Sequence, residues 1–335
     1  MSQERRLERI DRGIKMRSDG FYALLSWRES LYLLAPRAAL VLGVLVIPAF
    51  LPEHWQRIMC LVGIYALLSL SFDLLISFVG LVCLGGALFM GVGAYCAAVL
   101  AYEFGLPPVI TIPAGTIMGG LICTLLLLPC LRLRGIYFAI ASFIYPFVLS
   151  YILQALDIWG GTEGLSGLPY IGSKWASLYL VLIITLVSLF SLRRISSEDV
   201  GLVLRGIREN DQAVRASAVN VTFWKAIAVF FAASLGCFCG AFLSAIYGWV
   251  GMSFFALDFS ILPIAAAVLG GMGSFSGSVI GAFLLVPLTE LLRALGPLRM
   301  VAYGIILLIF VVARPGGIMP YFTRKYQQFE RWVEV

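Results

Sequence analysis

Long apolar stretches alternate with short polar segments over most of this chain. Ten stretches stay apolar for 16 to 25 residues, and about 20 such residues let a helix cross a bilayer. The pattern predicts an all-α polytopic membrane protein with about ten transmembrane helices (8–10), placed at 31–51, 57–79, 81–102, 107–131, 135–157, 175–193, 224–248, 258–273, 276–293 and 298–314.

Two regions leave the number of helices open. The stretch 258–273 is short and ends in Gly270-Gly271-Met272-Gly273, so we expect it either to span the membrane or to re-enter it. The boundary near Gly80 is indistinct, because 57–102 is almost continuously apolar. Eight or nine spans therefore also fit the pattern.

The polar ends and the basic residues predict the orientation. Residues 1–30 carry seven basic and five acidic side chains and no apolar run, which favours an amphipathic cytoplasmic N-terminus before a retained first helix. The membrane domain then covers 31–318, and a cytoplasmic tail covers 319–335. With ten spans, nineteen of the 24 Lys and Arg residues fall on the N-terminal side of the membrane. Cytoplasmic loops favour these residues, so both termini are predicted to be cytoplasmic.

Composition excludes several classes of protein. The chain is 61% hydrophobic and only 13% charged, whereas soluble domains are about 25% charged, so a soluble enzyme, a disordered chain and a disulfide scaffold are excluded. The seven cysteines form no CxxC pair and there is one histidine. We therefore expect reduced thiols that pack as small hydrophobes, and no metal site. We attribute the net charge of +6 to cytoplasmic loops rather than to nucleic-acid binding.

Two loops are informative. The predicted cytoplasmic loop 194–224 has apolar residues at helical spacing, and Ser196 followed by Asp199 is similar to a capping box. It is either a solvated connecting helix or a docking helix whose apolar stripe fills a partner's groove. The predicted outer loop 158–174 contains five glycines and is expected to be a turn-rich, ordered connector.

Acids and glycines inside the predicted spans are candidate functional residues. Asp73 and Glu290 are intramembrane acids; we favour contacts between helices over a proton relay, the alternative that such groups permit. Glycine-rich segments in the two halves hint at a weak internal repeat with broken helices near the centre. They either allow tight packing or line a translocation pathway. The candidate pathway residues are Gly85, Gly86, Phe89, Gly270, Gly271, Gly273 and Ser274.

The chain lacks the chemistry of a stand-alone pump or enzyme. No Gly-Lys dipeptide occurs, so no P-loop binds ATP, and no catalytic residues are predicted. We expect a transport subunit without a bound cofactor.

Five stretches carry a family resemblance. They occur in the order and at the spacing of the family's motifs over about 57–318. The stretches are Gly80–Tyr95, Leu131–Ile140 (LRLRGIYFAI), Gly160–Pro169 (GGTEGLSGLP), Gly201–Asn210 (GLVLRGIREN) and Val268–Ala282. In these stretches the chain resembles the permease subunits of branched-chain amino acid ABC importers, specifically the M-type permease of the Liv system.

The resemblance implies a multi-pass subunit in the bacterial inner membrane. Its implied partners are an H-type permease in a heterodimer, two cytoplasmic ATPases that hold ATP and Mg, and a periplasmic solute-binding protein. The segment 201–220 would be the coupling helix that docks on an ATPase. The residues expected to carry this coupling are Gly201, Leu204, Arg205, Ile207, Arg208, Glu209 and Asn210.

One departure from the family bears on the solute. The chain has Cys83-Leu84-Gly85-Gly86 where the family usually has Ser-Leu-Gly-His. We expect transport of branched-chain or related small amino acids, and related permeases carry urea and short amides. The alternative from another class is an ion-coupled secondary transporter or a channel.

Overall fold

A computed structural model describes residues 47–133 and 135–292, Gly43, and scattered positions from 296 to 319. Pro48 onward belongs to one compact unit. The predicted N-terminal segment 1–30, most of the span 31–51, much of the span 298–314 and nearly all of the tail 319–335 lie outside the described residues.

The described residues form helices and one short pair of strands. The helices are α1 Glu53–Leu74, α2 Gly86–Phe104, α3 Pro108–Leu127, α4 Ile136–Leu156, α5 Lys174–Ser197, α6 Asp199–Glu209, α7 Asp211–Ala216, α8 Val221–Tyr247, α9 Asp258–Gly270 and α10 Phe275–Leu291. A π-helical turn, Leu75–Val79, extends α1. Four 3-10 turns cover Ile47–Phe50, Pro129–Arg132, Ile158–Gly160 and Met252–Phe255, and the strands are β1 Leu165–Ser166 and β2 Trp249–Val250.

The all-α membrane fold class is confirmed. Within the described residues, seven helical segments are long and apolar enough to cross a membrane: α1 with its π turn, α2, α3, α4, α5, α8 and the segment Met252–Gly270. The apolar helix α10 is shorter, with 17 residues. The number of ten spans stays a prediction, as do the positions of the termini and the internal repeat.

Among the described residues, three breaks interrupt the helices of the membrane unit. The first follows the π turn: Gly80 adopts φ +75°, and α2 begins only at Gly86, so the predicted start of a span at residue 81 is wrong. The second lies between α8 and α9, where β2 and a 3-10 turn replace regular α-helix. The third separates α9 from α10 at Gly271, whose φ of +108° ends α9.

Helix α8 lies at the centre of the bundle and packs most extensively on α2 and α3. Small residues allow the backbones to approach closely. A Cβ at Gly93 would overlap the backbone of Cys237, and one at Gly240 would overlap the carbonyl of Met90. The centre of the bundle is therefore set by backbone contact between α2 and α8.

The two ends of the bundle differ in composition. At what we call the loop end, Lys174 Nζ lies 2.9 Å from Glu53 Oε2, and β1 pairs antiparallel with β2. The segment 158–174 is thereby held against the start of the second break, as Ile171 N–H also donates to Ala245 O at 2.9 Å. The other end, where the π turn meets α6 and α7, we call the basic end. The predicted order in 158–174 is confirmed by this strand pairing.

We expect Gly93→Ala to destabilise the α2–α8 contact by about 1–3 kcal/mol, because the added methyl group overlaps backbone atoms that cannot rotate away. Thermal unfolding of the detergent-solubilised protein measures this as a lower midpoint. Gly172→Ala is the control, since a Cβ at Gly172 meets only Tyr170 at 3.9 Å. Equal midpoints for the two variants would contradict the close approach.

Candidate functional site

The amphipathic helix α6 buries its apolar stripe against its own chain. Gly201, Leu204 and Ile207 are buried, and α6 packs on the π turn and on α5. The hypothesis that this stripe needs a partner's groove is therefore wrong. The face that remains open carries Leu202, which is 71% exposed, with exposed Arg205 and Glu209.

The ends of α6 and α7 are fixed by caps that the sequence only partly predicts. Glu198, not Ser196, is the N-cap of α6, and its side chain makes no capping hydrogen bond. It pairs instead with Arg194 at 2.7 Å, so the capping box at Ser196 and Asp199 is wrong. Asn210 is the N-cap of α7, where its side-chain oxygen accepts from the amides of Gln212 and Ala213 at 3.0 and 3.2 Å.

Two arginines of α6 bind the π turn. The Arg205 guanidinium lies 5.0 Å from the centre of the Phe78 ring, a cation–π distance. Arg208 Nη1 donates to the carbonyl of Ser77, and its side chain covers Gly80, where a Cβ would lie 3.1 Å from Arg208 Cγ. Both arginines therefore connect α6 to the end of α1.

Among the described residues, Asp73 is the acid that is fully buried, with 0% exposure. Its Oδ1 accepts from Gly273 N–H at 2.8 Å and from the Ser77 hydroxyl. Its Oδ2 accepts from the Ser278 hydroxyl at 2.9 Å. A buried carboxylate requires such donors. Asp73 thus joins α1 to the turn between α9 and α10, as expected for a contact between helices.

Glu290, the second predicted intramembrane acid, lies at the loop end. Its Oε1 is 3.8 Å from His54 Nε2, and its side chain is 22% exposed. Because His54 stands in the first turn of α1, Glu290 is far along the helices from Asp73. The two acids do not form a common site.

A polar cavity of about 290 Å³ opens at the basic end between α6, α7, α8 and the first break. Lys225 and Asp211 form an ion pair in its wall at 2.9 Å, with the Lys225 side chain only 6% exposed. The polar lining side chains include those of Arg208, Glu209, Asn210, Asp211, Gln212 and Lys225.

The predicted pathway glycines lie in two places at opposite ends of α9. Gly86 approaches the backbone of Phe259 and Ser260 so closely that a Cβ would overlap it, and Gly270 approaches Gly277 in the same way. Helix α9 has 13 residues, about 20 Å at 1.5 Å per residue. The structure therefore does not bring Gly85 and Gly86 together with Gly270, Gly271, Gly273 and Ser274.

The group around Gly86 contains residues that sequence reasoning missed. Ser260 Oγ accepts from Ala87 N–H at 2.9 Å, and Ser142 Oγ accepts from Leu84 N–H at 3.0 Å. Phe89, a predicted pathway residue, is buried and packs on Gly236. A serine in an apolar helix is a weak sequence signal for a contact between helices, because most such serines form a hydrogen bond within their own helix.

Tyr95 was missed as well. It is 5% exposed, and its ring lies 5.8 Å from the Phe255 ring, which in turn fills the space beside Gly91. The Tyr95 hydroxyl is buried and has no hydrogen-bond partner within the described structure. Unpartnered buried polar atoms are rare in proteins and call for an explanation.

Within the described ranges, no group of three or more His, Cys, Asp or Glu side chains could hold a metal ion. All seven cysteines are free thiols, and Cys83, Cys123, Cys237 and Cys239 are buried. Cys123 and Cys237 bring their sulfur atoms within 3.9 Å of one another. The site thus consists of hydrogen-bonding side chains, glycine contacts and aromatic rings.

Comparisons with known proteins identify relatives of this chain. The high-affinity branched-chain amino acid transport system permease protein LivM of Escherichia coli (strain K12) is 29% identical over 324 residues, which cover 88% of this chain and 75% of the relative. A probable branched-chain amino acid transport permease protein LivM of Methanocaldococcus jannaschii is 24% identical over 63% of this chain and 68% of that protein. No solved structure matches.

A family model extends over most of the bundle. It matches residues 55–313 and describes the branched-chain amino acid transport system / permease component. This range begins in α1 and contains all three helix breaks. The sequence resemblance is confirmed: the chain belongs to the family of permease components of branched-chain amino acid transport systems.

Proposed function

We propose that this chain is the transmembrane permease subunit of an ATP-driven importer for branched-chain or related small amino acids. The family match over residues 55–313 carries this proposal, and the names of the relatives support the solute class. The chain contributes the pathway and binds no cofactor of its own. Hydrolysis of ATP with Mg takes place on two separate ATPase subunits, and a periplasmic binding protein delivers the solute in a bacterial inner membrane.

Uptake by the complete transporter tests the solute class. We expect proteoliposomes that contain the assembled complex, its binding protein and internal ATP to accumulate leucine, isoleucine or valine. Urea and acetamide serve as competitors at tenfold excess, and we expect them to lower uptake by less than a fifth. Efficient competition by either amide, or uptake that proceeds without ATP, would contradict the proposal.

The open face of α6 is the surface that we assign to the ATPase. Gly201, Leu204 and Ile207 are buried, so they hold α6 in place rather than contact a partner. Leu202, Arg205 and Glu209 are exposed at the basic end, which we place in the cytoplasm with both termini. An exposed leucine beside charges of both signs gives a docking helix apolar contact as well as register.

We expect Leu202→Glu combined with Glu209→Arg to reduce the amount of ATPase that co-purifies with the tagged chain at least tenfold. The double change places a charge in the apolar contact and inverts a second one, while the buried side of α6 is untouched. Quantitative immunoblotting of the purified complex measures the ratio of subunits.

Glu163→Arg is the matched control for that experiment. Glu163 is exposed at the loop end, so inverting its charge should leave the subunit ratio within twofold of the wild type. An unchanged ratio of ATPase to tagged chain in the α6 variant would contradict the assignment of this face to the ATPase.

The pathway, in this proposal, passes where the first two breaks meet beside α2. Segment 80–85 reaches this point from the basic end and segment 248–257 reaches it from the loop end, with Ser260 Oγ and Ala87 N–H in contact between them. Broken helices leave backbone groups free to face a solute. The unpartnered Tyr95 hydroxyl supports this location, with Phe255 as the ring that covers it. The polar cavity at the basic end is the proposed exit.

A partner permease would cover part of the apolar outer surface. Helix α4 exposes Ile136, Tyr137, Ile140, Ile144, Val148, Tyr151, Ile152 and Leu156, and it makes few contacts with its own bundle. Lipid or a second permease of the H type can pack on such a face. We propose the heterodimer on the strength of the family.

We expect Tyr95→Phe to lower uptake at least fivefold without lowering the thermal midpoint. Removing an unpartnered buried hydroxyl leaves packing intact and relieves an unpaired polar group, so stability should be equal or higher. Uptake falls if the hydroxyl bonds the passing solute.

Tyr102→Phe is the matched control on the same helix, because Tyr102 is 61% exposed. Its uptake and midpoint should both equal those of the wild type. If Tyr95→Phe takes up solute as fast as the wild type does, the assignment of Tyr95 to the pathway is contradicted.

A further inference from the structure

A continuous chain of hydrogen bonds runs from α6 to the turn between α9 and α10. Arg208 donates to the Ser77 carbonyl, and the Ser77 hydroxyl donates to Asp73. Asp73 in turn accepts from Gly273 N–H and from the Ser278 hydroxyl. We call these five residues the Asp73 cluster. They lie on three parts of the chain that are far apart in sequence: α1 with its π turn, α6 and the α9–α10 region.

The burial of Asp73 means that its carboxylate must keep its hydrogen-bond donors. With 0% exposure, the carboxylate has no water to replace a lost donor, and a buried charge without donors is costly. If the α9–α10 turn moved away from α1, Asp73 would lose the Gly273 amide and the Ser278 hydroxyl together. The α9–α10 turn and the π turn of α1 are therefore expected to move as one body.

A second connection runs in parallel through aromatic rings. The Arg205 guanidinium lies over the Phe78 ring, and Phe78 stacks on Phe275 with ring centres 4.9 Å apart and planes 5° from parallel. Phe275 is the first residue of α10. Consecutive residues of the π turn, Ser77 and Phe78, thus each connect an arginine of α6 to the start of α10.

The π turn is the part of α1 where these contacts converge. Single π-helical turns are rare and often occur at functional sites. Here the wider turn ends at Gly80, whose left-handed φ of +75° begins the first break. A shift of α6 would therefore act on both the first break and the third.

We propose that Asp73 is a positioning residue that couples the position of α6 to the turn between α9 and α10. This inference rests on the proposed function, in which the ATPase moves α6. When the ATPase displaces α6, Arg208 and Arg205 carry the π turn with them, and Asp73 carries Gly273 and Ser278. The third break then follows ATP hydrolysis without a direct contact between the ATPase and that break.

Ser278→Ala tests the proposal in the complete transporter, reconstituted in proteoliposomes with its binding protein. We expect solute transported per ATP hydrolysed to fall at least fivefold, while hydrolysis itself continues, because the α9–α10 turn no longer follows α1. Ser244→Ala is the matched control. Ser244 is also a buried serine, but its hydroxyl donates to Ala241 O within its own helix, so this ratio should stay within twofold of the wild type.

A double-mutant cycle with Arg208→Ala supplies the second measurement. Arg208 and Ser278 act through Ser77 and Asp73, at the two ends of one series of hydrogen bonds. Removing both side chains should therefore lower the solute transported per ATP no more than the more harmful single substitution does. If the fold-loss of the double variant equals the product of the two single fold-losses, the two residues act independently and the proposal is overturned.

Two further results separate the possible failures. A Ser278→Ala chain that no longer assembles, beside a Ser244→Ala chain that does, would show a purely structural role and overturn the coupling role. An unchanged transport-to-ATP ratio in Ser278→Ala would overturn it too, while leaving the importer intact. If the wild-type chain itself recruits no ATPase, the proposed function fails, and the inference fails with it.

Discussion

Within a bilayer, each backbone amide must find its partner inside the protein, because lipid offers none. Continuous helices meet this requirement by themselves, and the three breaks in this bundle do not. Side chains from elsewhere in the chain repair the first and third breaks, and the pairing of β1 with β2 holds the second. Ser142 accepts from Leu84, Ser260 accepts from Ala87, and Asp73 accepts from Gly273. The arrangement of α1, α2, α4 and α9 depends on these repairs.

The repairs also explain why the breaks lie where close packing is possible. Ser260 can cap α2 only because Gly86 lets the backbone of α9 approach without a side chain between them. Gly270, Gly277 and Gly281 allow the same approach between α9 and α10, which brings Ser278 to Asp73. Glycine in these helices therefore serves contact between helices as well as freedom of φ.

A transporter needs its broken segments to be held and yet movable. Hydrogen bonds to buried serines and to one buried carboxylate are strong enough to order a segment and few enough to exchange. The π turn, Gly80 and α6 place some of these hydrogen bonds at the basic end. Tyr95 and Phe255 place an unpartnered hydroxyl beside the second break. The family of the chain gives these features a common purpose, the passage of a small solute.

Hydropathy alone predicted most helices to within a few residues, because about 20 apolar residues in a row have few alternatives to a membrane helix. It placed the start of α2 too early, since Leu81 to Leu84 are as apolar as the helix that follows. The loop 194–224 was predicted to be amphipathic, and α6 is so. Its stripe faces its own bundle, however, because periodicity says which side is apolar and not what covers it.

The sequence by itself determined the membrane class, the apolar helices and, through its motifs, the family. These depend on local composition and on residues close together in the chain. Tertiary structure alone decided that Asp73 meets Gly273 and Ser278, about 200 residues away, and that Arg208 meets Ser77. It also decided that Gly86 and Gly271 lie at opposite ends of α9. Such contacts depend on how helices pack, and many partners satisfy one serine or one carboxylate equally well until packing selects among them.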